Sequence, residues 1–195
     1  RRQRPGENGC TRRKAEHRNH VWTVDFAADR TVDGRGLRML VIVDEWTREC
    51  LGITVARSLV GGEVREALKA AMGEHGVPEH VRSDNGPEFV SRALKKGLEE
   101  LGVGALYIDP GSPWQNGYGE SFIGRLREEC LGQEVFGSLL EAKVVIEDWR
   151  REYNERRPHS ALGYETPAAV AARCKAPGYK ARPSPCSGPM VTSVS

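Results

Sequence analysis

Three carboxylates in this chain stand out by their positions. Asp25 interrupts an alternating, β-branched and aromatic run, His-Val-Trp-Thr-Val-Asp-Phe-Ala-Ala-Asp at 20–29. A charge in the middle of a sheet strand is costly unless something pairs with it. Asp84 begins Asp84-Asn85-Gly86-Pro87, where a short apolar run stops. Turn chemistry would account for it in isolation, but sites in open α/β sheets form at the carboxyl ends of strands. Glu120 lies 36 positions further on, near the start of a helical stretch, where a solitary Glu would be an exposed helix residue. Central strand, neighbouring strand end and adjacent helix can converge on one crevice. Three carboxylates gathered there repel one another and stay partly protonated without a counter-charge. Oxygen ligands with no Cys or His nearby suit Mg2+ or Mn2+ rather than zinc. Two such ions about 3.5–4 Å apart can activate an attacking oxygen, stabilise a leaving one and hold a phosphodiester in line. The chemistry so specified is phosphoryl transfer on nucleic acid.

Several neighbours could hold that substrate. Arg127 follows Glu120 by seven residues, which on a helix returns it to within about 20° of the same face, about 10.5 Å along the axis. Arg127, with Arg125, is a candidate for DNA phosphates; pairing with Glu128 or Glu129 is the other reading. Gln115 and Asn116 lie in Trp114-Gln115-Asn116-Gly117-Tyr118, where amides can meet bases and rings can stack. A core-facing Trp in a helix-leading loop is the plainer alternative. Arg157 and His159 fall in Arg156-Arg157-Pro158-His159-Ser160, open to phosphate contact or to solvation. His17 and His20 have no cysteine pair at zinc-finger spacing, so a zinc site is not expected.

Stepping outward, the elements that must position these residues follow from periodicity. Strands are expected over 20–29, 37–44, 48–56, 79–83 and 105–108, the first three as an antiparallel meander turning at Asp33-Gly34. Helical spacing of Val64, Ala67, Leu68, Ala71 and Met72 predicts a first helix, and Ser91 caps a second carrying Leu94, Leu98 and Leu101. A third is expected over 118–131 and a fourth over 138–154, while Thr166-Pro167 opens a fifth. The order β-β-β-α-β-α-β-α-α predicts an α/β, ribonuclease-H-like fold, a five-stranded mixed sheet with helices on both faces. Residues 1–19 read as a basic linker, 20–172 as the core, and 173–195 as a disordered basic, Pro-rich tail.

Composition narrows the class further. The 195 residues are 38% hydrophobic and 29% charged, enough for one sizeable core under a charged surface. Net charge is +2, but residues 1–20 hold seven basic groups against two acids and 171–195 hold four against none. The stretch 21–170 therefore carries 18 basic and 25 acidic residues. Basic arms on an acidic body suit a protein that meets a polyanion and gathers carboxylates around metal; solvated, frayed ends would give the same count. The longest purely aliphatic stretch, Met39–Val43, is five residues, against about 20 for a membrane span, so no membrane is expected. Five cysteines without a Cys-x-x-Cys pair argue against a disulfide framework and for a reducing cytoplasm. The chain opens on Arg rather than Met, as an excised fragment or truncated reading would.

The motifs resemble a known family. Trp22-Thr23-Val24-Asp25-Phe26, then Arg82-Ser83-Asp84-Asn85-Gly86-Pro87-Glu88-Phe89, then Pro110-Gly111-Ser112-Pro113-Trp114-Gln115-Asn116-Gly117-Tyr118-Gly119-Glu120-Ser121-Phe122 are similar to the three signatures of DDE transposases. The subfamily they resemble is the insertion sequence three family, relatives of retroviral integrases. The 35 residues between Asp84 and Glu120 and the basic Arg127 match its spacing. Trp149-Arg150-Arg151-Glu152-Tyr153-Asn154 and Arg157-Pro158-His159-Ser160-Ala161-Leu162-Gly163-Tyr164 resemble its carboxyl-terminal signature. The resemblance spans about 20–172. It implies an integrase core with two magnesium ions, Asp25 bridging both and Asp84 and Glu120 each holding one. Water or a DNA 3′-hydroxyl would attack at the element ends, with Gln115 on a loop touching DNA. The implied partners are double-stranded DNA, as transposon ends and target, and further copies of the chain in a homo-oligomer. The implied location is the cytoplasm, at the nucleoid. An amino-terminal helix-turn-helix region of the full-length protein, for which 1–19 would be the linker, is absent from these residues. Ile123 replaces the family's usual Asn, which removes a polar contact beside Glu120. That departure, with the absent amino-terminal region, leaves a DNA-binding remnant without catalysis as the alternative; a stand-alone ribonuclease H fits the Gln-Asn-Gly context less well.

Overall fold

The nearly continuous apolar run at 37–44 calls for a strand covered on both faces, and the computed structural model, which describes residues 14–89, 91–108 and 116–176, has such a sheet. Strands β1 (Val21–Arg30), β2 (Gly36–Asp44) and β3 (Cys50–Ala56) make the expected antiparallel meander. Strands β4 (His80–Ser83) and β5 (Gly104–Tyr107) then add in parallel on the other side of β1. The order β3-β2-β1-β4-β5 makes β1 the central strand and β4 its neighbour.

One face of the sheet presents Trp22, Val24, Leu40 and Ile42 to helices α1 (Gly61–His75) and α2 (Arg92–Glu100), which return Val64, Leu68, Leu94 and Leu98. The other presents Ala27, Met39, Val41 and Val43 to α3 (Gly117–Leu126) and α4 (Leu139–Glu155), which contribute Phe122, Leu126, Ala142, Ile146 and Tyr153. Side chains alternate along a strand, so Thr23 and Asp25 share the face of Ala27. The most telling acid of the sequence therefore looks toward α3.

The cap expected at Ser91 forms, and two further helix starts are capped as well. Ser91 Oγ accepts from Leu94 N–H, Ser138 Oγ from Glu141 N–H, and Thr166 Oγ1 from Ala169 N–H at the start of α5 (Pro167–Cys174). One difference concerns the third helix, expected to be continuous to Leu131. Its α-helical part ends at Leu126, and a wider π turn covers Arg127–Leu131, closed by Gly132 N–H on Arg127 O at 2.7 Å. Among the described residues no helix is long and apolar enough to cross a membrane. Residues 1–13 and 177–195, most of the expected linker and tail, lie outside the described residues.

Candidate active site

Strand register sets two of the carboxylates side by side. Thr23 pairs with Arg82 in the parallel β1–β4 ladder; Asp25 lies two residues beyond the first and Asp84 two beyond the second. Asp84 is exposed just past the carboxyl end of β4, and its Oδ1 accepts from Gly86 N–H at 2.9 Å. A Cβ on Gly86 would stand 2.9 Å from that oxygen and 3.2 Å from Glu88 Oε2, so a larger residue would drive the loop off the carboxylate. The loop is pinned on both sides. Asn85 Nδ2 donates to Ile108 O beyond β5 at 2.7 Å, and Glu88 pairs with Arg38 of β2 at 2.8 Å. Beneath it, Arg82 and Glu45 form a buried ion pair at 2.8 Å.

The third carboxylate comes from the first turn of α3, where Glu120 is exposed. Asn116, immediately before the helix, ties that turn to β1. Its Nδ2 donates to Asp25 Oδ2 at 2.8 Å, and its Oδ1 accepts from Thr23 Oγ1 at 2.8 Å. Asn116 is 5% exposed, and a Cβ on Gly119 would approach its side chain to 3.0 Å. Gly119 thus lets the amide lie close under the helix. Phe26 N–H donates to the other oxygen of Asp25 at 2.7 Å.

Electrostatics ties the three acids together. Burial pushes the Asp25 carboxyl above its ordinary range, the Phe26 amide opposes that, Asp84 raises it again, Asn116 lowers it, and Glu120 raises it. Asp25 thus feels both other carboxylates as like charges. The three do not close to within 4.8 Å of one another; among the described residues the set of ligand-type groups that does is His20, Glu79 and His80. Like-charge repulsion keeps acids apart without a cation, and two ions about 3.5–4 Å apart require a pocket wider than one shared ion does. The donor set, all oxygen and partly buried, fits hard divalent cations. The histidine group sits at the opposite, amino-terminal end of β1 and β4. There Glu16 N–H donates to His20 Nδ1 at 3.0 Å, which places the proton of a neutral His20 on Nε2, 3.8 Å from Glu79 Oε2. That leaves His20 facing Glu79 with a proton rather than a lone pair.

The remaining candidates divide. Arg127 is exposed at the end of α3. Arg157 forms an ion pair with Glu129. His159 is 5% exposed rather than lying on an open basic segment, because it packs edge-on against Tyr153 and meets Arg125. Asn116 is engaged by Asp25 and Thr23, so it orients a carboxylate; the sequence offered it only as a base contact, and Gly119 three residues on was the available signal. Gln115 and Trp114 lie outside the described residues. Ile123 is buried with Phe122 and Leu126 in the core under α3; an apolar residue there fills space. From the carboxyl-terminal signature, the Asn154 amide donates to Cys50 O and accepts from Cys50 N–H, both at 2.9 Å, which ties α4 to the start of β3.

Comparison with known proteins converges on one family. Family models described as "Integrase core domain" match residues 15–113 and 101–167. An uncharacterised 31.7 kDa protein of insertion element IS407 from Burkholderia multivorans is 44% identical over 158 residues, covering 81% of this chain and 57% of that protein. The transposase for insertion sequence element IS904 of Lactococcus lactis is 29% identical over 157 residues, covering 79% of this chain and 62% of that protein. The chain thus spans about half the length of the curated relatives it matches. The catalytic core of HTLV-2 integrase in complex with magnesium superposes with a TM-score of 0.65 at 18% identity, over 82% of this chain and 99% of that one. A chain of the simian T-cell lymphotropic virus intasome gives 0.73 at 19% identity, over 93% and 63%. The expected ribonuclease-H-like fold is the fold of these integrase cores.

Proposed function

The chain belongs to the integrase core family, among the DDE transposases of bacterial insertion sequences, and from that premise we propose that it is the catalytic core that cuts element ends and joins them to target DNA. What supports the reading is that a central-strand acid, a neighbouring strand-end acid and a helix acid lie near enough for Asp25, whose carboxyl is pushed up first by burial, to feel the other two as like charges. Asp25, Asp84 and Glu120 are the residues that would hold two magnesium or manganese ions. When bound, such ions lower the pKa of an attacking hydroxyl, neutralise the leaving oxygen and align the phosphodiester. The magnesium of the HTLV-2 core accords with this assignment.

The chain's own groups prepare that chemistry. Each oxygen of Asp25 accepts one hydrogen bond, from Phe26 N–H or from Asn116, which fixes the carboxylate plane and leaves a lone pair on each oxygen for a cation. Arg127 offers positive charge to the DNA backbone on the same helix as Glu120. In the first step a water oxygen bonds to phosphorus as the bond to the 3′ oxygen breaks, freeing a 3′-hydroxyl. In the second, that hydroxyl bonds to a target phosphorus and displaces another 3′ oxygen, so no outside energy source is consumed. Joining of both ends calls for a homo-oligomer, and the work is done on double-stranded DNA at the nucleoid in the cytoplasm.

The test is strand transfer on end-sequence DNA with magnesium by full-length protein carrying this core. Asp25→Asn and Glu120→Gln should each abolish nicking and joining while the fold persists. Turnover by either variant removes the assigned role; an inactive wild-type protein that still binds DNA establishes the remnant instead.

A further inference from the structure

Beside the carboxylates, on a different face of α3, lies a cavity of about 310 Å³. Tyr118, Ser121 and Arg125 line it from the helix, Arg48 from the turn between β2 and β3, and Tyr153 and His159 from the carboxyl-terminal signature. Among the described residues no Asp or Glu lines it. Its polar side chains, Arg48, Tyr118, Ser121, Arg125, Tyr153, His159 and Ser160, all can donate. An Arg can only donate, so at the 3.1 Å contact between Arg125 Nη1 and His159 Nδ1 the imidazole nitrogen accepts. A neutral His159 then carries its proton on Nε2, and that buried nitrogen finds no partner among the described residues. Burial, followed by Arg125, Arg157 and Arg48, depresses the imidazole to about 4, so the ring is neutral at physiological pH. Arg48 Nη1 is a second buried donor without a partner among the described residues.

Arg48 is held in place at a cost. Its guanidinium stacks 3.6 Å from the centre of the Tyr118 ring, and its backbone φ of 63° lies in the left-handed region, unusual for a non-glycine residue. Strain of this kind persists where surrounding structure over-determines it, and it clusters at ligand sites. Two orphan donors, one charged, each carry a desolvation penalty that an acceptor would remove. A tetrahedral oxyanion supplies several acceptor oxygens and the charge that Arg48 and Arg125 call for.

We propose that this cavity is a phosphate-binding subsite in which Arg48, Arg125 and His159 grip one phosphate of the DNA backbone as the strand crosses α3 beside Asp25, Asp84 and Glu120. The DNA source rests on the function proposed above; the phosphate chemistry does not. The subsite would anchor DNA next to the metal-binding carboxylates and set which linkage reaches them.

The experiment measures binding of the full chain to duplex end DNA by fluorescence anisotropy between 50 and 200 mM salt, with and without a single neutral methylphosphonate walked along each strand. Arg48→Gln should weaken binding about tenfold and reduce the log–log salt slope by about 1. One methylphosphonate position should weaken wild-type binding similarly and add nothing to the variant. Arg48→Lys, which keeps the charge and loses the fork, should retain the slope and serves where Arg48→Gln fails to fold. Inorganic phosphate titrated against 15N-labelled protein should shift the His159 Nε2 resonance. If phosphate shifts that resonance but no methylphosphonate position matters, the occupant is a free phosphate and the DNA assignment is overturned. If neither responds, the subsite itself is overturned. Because binding is read without catalysis, an inactive protein that shows the methylphosphonate effect keeps the subsite while refuting the proposed enzymology.

Discussion

Asn116→Ala probes how the site is held together. The substitution removes the donor to Asp25 Oδ2 and the acceptor of the Thr23 hydroxyl, both at 2.8 Å. A hydrogen bond to a charged group is worth about 1.5–3 kcal/mol, and a buried hydroxyl left without a partner costs about 1–3 kcal/mol. The two effects share one side chain and will not add fully, so a net loss of about 2–4 kcal/mol is expected. For a domain of this size that corresponds to a fall in Tm of roughly 5–15 °C. The functional consequence is separate. Asn116 is one of two groups that hold the Asp25 carboxylate in its ionised form against burial and two like charges, and loss of such an orienting partner typically weakens metal affinity about 10–100-fold. Thr23→Val, which removes only the bond to the Asn116 oxygen, should cost about 1 kcal/mol and leave the magnesium midpoint nearly unchanged. Calorimetric melts of the metal-free proteins and magnesium titrations at constant ionic strength read both quantities. An Asn116→Ala protein that melts with the wild type and binds magnesium within about twofold of it would refute the reasoning.

Other outcomes follow from neighbouring groups. Asp84→Asn keeps the acceptor for Gly86 N–H and removes one charge that raises Asp25; metal-free melting should hold or rise slightly, while magnesium-induced stabilisation shrinks and strand transfer is lost. Glu45→Ala breaks the buried ion pair with Arg82, a loss of about 3–5 kcal/mol that replacing both residues by Met should largely restore, as denaturant melts would show. His159 carries a folded-state value depressed from 6.5 to about 4. The unfolded chain takes up that proton first, so stability is lost as pH falls from 6.5 toward 4, by up to about 3 kcal/mol. His159→Gln should flatten that limb in melts taken across the range, and an unchanged limb would exclude His159 as its source.

Much of this architecture was legible because it rests on local pattern. Alternation over 20–29 marked one central strand and the apolar run over 37–44 its neighbour, and Ser91, Ser138 and Thr166 stand at helix starts that their side-chain oxygens cap. Asp25 was conspicuous because a mid-strand acid contradicts its apolar neighbours. What stayed hidden depends on contacts between distant segments. Nothing near Asn116 in sequence reveals that Thr23 and Asp25 lie beneath it, 93 and 91 positions away. His159 sits in a segment that reads as polar and basic, yet Tyr153 and Arg125 bury it. Arg48 belongs to an ordinary turn, and only its backbone conformation and its stacking on Tyr118 single it out. The break from α to π geometry at Arg127 likewise follows from the wide turn that Gly132 closes, which a helical period does not encode.

A crystal of this chain grown with manganese and measured at the manganese absorption edge addresses the acidic trio most directly. Two anomalous peaks about 3.5–4 Å apart, within bonding distance of oxygens from Asp25, Asp84 and Glu120, are the predicted result. Manganese found at His20, Glu79 and His80 alone, or nowhere between the carboxylates, would contradict it.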